Sequence, residues 1–124
     1  MPNTDIVLKE IIEVFNFESI KEKQNKLAVG YQFLIFKYSP ACSFSYFVEK
    51  SFDKWFNNLP DETKLVAVKI NVIESRSLSQ EIAEKFNIRH ESPQAIWLNE
   101  NGEVKWQASH SRISPKDLTE LLNY

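Results

Sequence analysis

The sequence predicts an α/β domain, a mixed sheet of about four strands with helices on both faces. Three observations predict it. Two nearly continuous apolar runs, "YQFLIFKYS" and "KLVAVKINV", have the composition of interior strands. Helical patterns precede, separate and follow them, and a β–α–β succession implies a parallel pair with a right-handed crossover. Near the C-terminus, "QAIWLNENGEVKWQAS" reads as two strands around Asn101-Gly102, an antiparallel hairpin signal.

Each element follows from local chemistry. Residues 1–28 read as a helical segment, with Ile6, Val7, Ile11, Val14 and Phe15 at helix-like spacing. Ser19 with Glu22 fits a capping box for a second short helix. The first apolar run ends at Pro40. Phe44, Phe47, Val48, Phe52, Trp55 and Phe56 then recur mostly three or four apart, an aromatic stripe expected to pack in the core. The second run is bounded by "PDET". Ser77 and Gln80 form another capping box, opening a helix with Ile82, Ala83 and Phe86 inward. After the hairpin, Ser114-Pro115-Lys116-Asp117 supplies an N-cap, a first-turn proline and an acid. It starts a closing helix with Leu118, Leu121 and Leu122 inward. The order αβαβαββα is a thioredoxin-like arrangement, with residues 1–124 as one domain.

Composition narrows the function. A chain of 124 residues suits a single domain with one sizeable core. The net charge of −2, without runs of like charge, offers no basic field for nucleic acid or an anionic membrane. The N-terminus lacks a basic leader followed by an apolar core, and no 18-residue apolar run occurs. The expectation is a soluble cytoplasmic domain. Two glycines, Gly30 and Gly102, leave no glycine-rich phosphate loop. Cys42, His90 and His110 lack the spacing of a zinc site, so no metal is expected.

Chemistry centres on Cys42, the single cysteine, which cannot form an intramolecular disulfide. It follows an interior strand and opens a helix. Unpaired N–H groups at a helix start carry partial positive charge and favour a thiolate, the nucleophilic form. The competing reading is a small, buried, inert side chain. Cys42-Ser43-Phe44-Ser45 is a C-x-x-S, one sulfur-to-oxygen exchange from the C-x-x-C of dithiol oxidoreductases. Pro93, in "HESPQAIWL", stands just before the hairpin. In a thioredoxin-like fold that position holds a cis-proline loop, which places the Ser92-Pro93 bond beside the reactive cysteine.

"LIFKYSPACSFS", "ESRSLSQEIAEKFNIRHESPQAIWL" and "VKWQASHSRIS" together resemble the bacilliredoxins of the YtxJ type, over about residues 31 to 123. The resemblance implies a thioredoxin-like fold and removal of bacillithiol from mixed disulfides on proteins. On it, Cys42 matches the nucleophile, Pro93 the cis-proline, and Ser45 stands where a dithiol enzyme keeps its resolving cysteine. Ser43-Phe44 departs from the C-P-I-S of the family, which bears on substrate preference. Phe36, six residues before Cys42, replaces the buried acid of thioredoxins, in keeping with an enzyme that has no second thiol to deprotonate.

Candidate substrate contacts are Glu91, His110, Arg89 and Arg112, the plain alternatives being a capping or solvent-facing histidine and solvated surface arginines. His110 is suited to bind or protonate a leaving thiol, and the arginines suit the carboxylates of bacillithiol's malate moiety. No bound cofactor is implied; bacillithiol is the thiol cosubstrate. The implied partners are bacillithiolated proteins, with a low-molecular-weight thiol or a separate reductase to clear Cys42. The alternative is a thioredoxin-like binding module without turnover, and whether Cys42 is exposed and acidic or buried and inert separates the two.

Overall fold

Lone apolar runs become interior strands here because both sheet faces are covered. The structure, a computed structural model, describes residues 9–27 and 30–122. The elements are β1 (Glu10–Glu13), α1 (Phe17–Asn25), β2 (Gln32–Tyr38), α2 (Ser43–Asn57) and β3 (Leu65–Asn71). Next come α3 (Arg76–Phe86), β4 (Gln94–Leu98), β5 (Val104–Ser109), a 3-10 turn (His110–Arg112) and α4 (Pro115–Leu122). Five strands form one sheet in the order β1-β3-β2-β4-β5. Strands β1, β3 and β2 run parallel, whereas β4 is antiparallel to β2 and β5 to β4.

Alternation along β2 explains the two cores. Leu34, Phe36 and Tyr38 pack with Phe52, Trp55 and Phe56 of α2 and with Leu118 of α4. Phe33 and Ile35 face the other way, toward Ile20 of α1 and Leu78 and Ile82 of α3. Successive strand residues point to opposite faces, so a strand buried on both sides reads as one apolar run. Phe36 stacks flat on Phe52, with ring centroids 4.4 Å apart. Burying each such ring is worth about 1.5–3 kcal/mol.

Four details differ from the sequence reading. The segment 1–28 is not wholly helical: Glu10–Glu13 is an edge strand, and only Phe17–Asn25 forms a helix. Four residues are too few for periodicity to separate strand from helix, and here pairing with β3 decides. Ile6 and Val7 lie outside the described residues. Second, α1 is capped by Asn16, whose Oδ1 accepts the Ser19 amide at 2.9 Å, so Ser19 is inside the helix. Third, α3 starts after Ser75, and Ser77 lies within its first turn.

The fourth difference concerns the aromatic stripe. Phe52, Trp55 and Phe56 are buried, but Phe44 and Phe47 are exposed. At about 100° per residue, Phe47 lies on the opposite side of the helix from Phe56. Phe44 shares the direction of Trp55, but stands in the first turn, where Ser45 is the buried residue.

Both ends of α2 are anchored. The Lys9 ammonium donates to the carbonyls of Phe56, Asn57 and Leu59 at 2.9, 3.0 and 2.7 Å. These carbonyls lie at or just past the C-terminal end of the helix, where a cation suits the helix dipole. Along its length, Glu49 and Asp53 grip Lys69 of β3, which lies over the Tyr38 ring. The Tyr38 hydroxyl donates to Glu13 at 2.6 Å. Burial, then this carboxylate, pushes the phenol up from its ordinary value. Among the described residues no helix is long and apolar enough to cross a membrane.

Candidate active site

Cys42 is the N-cap of α2, with extended backbone at φ −116° and ψ 121°. Its carbonyl accepts the Tyr46 amide at 3.0 Å, the first bond of the helix, and its amide donates to Ser39 O at 3.4 Å. The side chain is free and exposed. A turn is needed between strand and helix, and Pro40, fixed in φ and without an N–H, suits it. Ser45 is fully buried, and its Oγ accepts the Ser39 amide at 2.8 Å. The first turn of α2 is thereby tied to the end of β2.

The second part is the Ser92-Pro93 bond, which is cis. The register places Lys37 opposite Gln94. Continued by one residue, it sets Pro93 level with Tyr38, at the same end of the sheet as the turn carrying Cys42. Pro93 O accepts the His110 amide at 3.0 Å.

A third part joins this loop to the end of β5. Ser109 Oγ donates to Glu91 Oε2 at 3.0 Å, and His110 Nε2 lies 3.1 Å from Glu91 Oε1. The Ser109 and His110 hydrogen bonds hold the Glu91 carboxyl below its ordinary value. His110 takes a left-handed φ of 57°, which turns the chain from β5 into the 3-10 turn. Glu91, His110 and Pro93 are therefore brought together. Arg89 and Arg112 are exposed, and neither side chain makes a hydrogen bond or ion pair among the described residues. Ser92 has a buried Oγ without a protein partner.

Lys37 escaped the sequence reading, and with it the pairing that gives His90 a place in the site. Lys37 has no solvent exposure, and its Nζ donates to Ser79 O at 3.0 Å and contacts His90 Nδ1 at 3.1 Å. Burial pushes this ammonium down to about 8. His90 is held below its ordinary value by burial first and by the Lys37 charge second. The signal was one charged residue in the otherwise apolar run "FLIFKY". Among the described residues, no three His, Cys, Asp or Glu side chains are grouped to hold a metal ion.

A mixed sheet with its single thiol at a helix start and a cis-proline at the same end of the sheet belongs to the thioredoxin-like redox proteins. Membership can be stated more closely. The chain belongs to the monothiol bacilliredoxin BrxC family, whose profile matches residues 9–118. Solved structures agree on the fold. A protein provisionally described as an oxidoreductase with a thioredoxin fold is 24% identical, at a TM-score of 0.75, over 92% of this chain and 94% of that one. Schistosoma mansoni thioredoxin is 16% identical, at 0.66, over 92% and 96%. Mitochondrial thioredoxin 3 of Saccharomyces cerevisiae is 18% identical, at 0.61, over 91% and 93%. Family and fold together support a thiol redox function.

Proposed function

We propose that the protein removes bacillithiol from mixed disulfides on other proteins. The observation that carries this reading is an exposed thiol at the N-cap of α2 in a monothiol bacilliredoxin chain. Cys42 thiolate attacks the bacillithiol sulfur. A new S–S bond forms between Cys42 and bacillithiol while the old one breaks, and the protein's sulfur leaves as a thiolate that takes up a proton. No net oxidation occurs at this step. A second low-molecular-weight thiol, or a separate reductase, then attacks the adduct and regenerates Cys42.

Ser45 cannot resolve the adduct. Its oxygen accepts the Ser39 amide, which leaves its own proton free to be donated. Glu91 and His110, on the rim beside Pro93, are the groups proposed to meet the leaving thiol or the small thiol's polar part.

Release of free thiol from a bacillithiolated protein tests the proposal. Wild-type chain should release it, and Cys42→Ala should not. Equal release by both would leave the binding module standing.

A further inference from the structure

Lys37 is difficult to explain by stability. It is fully buried in β2, and no carboxylate neutralises it among the described residues. Burying an unpaired ammonium is costly, and an apolar side chain of similar volume would fill the same space. Its surroundings are polar instead. Gln94 sits opposite it in register, with Oε1 buried and lacking a protein partner, and Ser79 Oγ is in the same condition.

The ammonium defines the state of His90. An ammonium has three donors and no acceptor, so at the 3.1 Å contact His90 Nδ1 accepts. In the neutral ring the proton therefore sits on Nε2. Nε2 makes no hydrogen bond among the described residues, and His90 is exposed. The charged groups around it are Lys37 behind, Arg89 before it in the chain and Glu91 after it. Both oxygens of Glu91 are already engaged, by Ser109 and His110. What remains at this part of the rim is an N–H donor on a ring backed by the Lys37 ammonium, three residues before Pro93.

We infer that His90, oriented by Lys37, binds a carboxylate of the small thiol that Cys42 receives, its Nε2–H donating to that group. Lys37 is a positioning residue in this arrangement, acting through the imidazole and not on the ligand. The inference rests on the proposed bacillithiol chemistry and adds to it a recognition residue and the group recognised.

Two measurements test it on the full chain. In two-dimensional nitrogen–proton spectra near pH 7, His90 should show a single neutral form protonated at Nε2. Lys37→Met should release it into a mixture of both tautomers. A proton on Nδ1 in the wild type would overturn the proposal, even if Lys37→Met does not fold. The second measurement compares exchange rates with one carrier protein bearing either bacillithiol or bacillithiol whose malate carboxylates are converted to amides. Wild type should favour the carboxylate form by about tenfold, the discrimination of one hydrogen bond to a charged group. His90→Phe should bring the ratio toward one. An unchanged ratio in His90→Phe, with exchange still occurring, would refute the role of His90 alone. Absence of exchange with either carrier would instead remove the bacillithiol chemistry, and the inference with it.

Discussion

The Ser45 hydroxyl oxygen accepts the Ser39 amide at 2.8 Å, across the turn on which Cys42 stands. Because Ser45 is fully buried, water cannot readily replace it. Ser45→Ala leaves the amide without its partner and should cost about 1–3 kcal/mol. The check is a lower urea midpoint with an unchanged slope.

The two halves of the aromatic stripe should behave differently. Phe52 is buried and stacked on Phe36, whereas Phe47 is 69% exposed. Phe52→Ala should destabilise by about 3–5 kcal/mol. Phe47→Ser should stay within about 0.5 kcal/mol of wild type. Denaturant unfolding of both variants measures the contrast.

What the sequence could reveal was set by the range of the interactions. The hairpin and the start of α4 depend on neighbours in the chain: Gly102 has a φ of 79°, and Ser114 Oγ accepts the Asp117 amide at 3.3 Å. Both were legible. The runs in β2 and β3 were legible because burial on two faces leaves little room for polar residues. The edge strand β1 was not, since its existence depends on β3, more than fifty residues away. The same rule divides the site. Cys42 at a strand-to-helix turn is a local pattern. The contact of Lys37 with His90 spans 53 residues and that of Glu91 with His110 spans 19, and no local pattern encodes either.

Lys37 should leave a mark on stability at high pH. Its folded value of about 8 lies below the ordinary 10.5, so between these limits the unfolded chain holds more protons. Its penalty is complete below about pH 8 and is relieved as pH rises toward 10.5. Tyr38 also titrates in alkali, so the difference between wild type and Lys37→Met isolates the lysine. Relative to the variant, wild type should gain stability across this window in urea unfolding series.

Glu91 works in the opposite pH range. Its carboxyl is held below the ordinary 4.5, first by Ser109 and then by His110, so its contribution is present above that value. As pH falls through its folded value the contribution is lost. The stability gap between wild type and Glu91→Gln should therefore close on acidification below about pH 4.5. A gap that stays constant in acid would mean the carboxylate does not tie the cis-proline loop to β5.

Intact mass is the most direct test of the central claim, that Cys42 accepts bacillithiol from proteins. After incubation with a bacillithiolated protein, the wild-type chain should gain the mass of one bacillithiol, and Cys42→Ala should gain none. A wild-type chain that stays unmodified while the partner protein loses its bacillithiol would contradict the account.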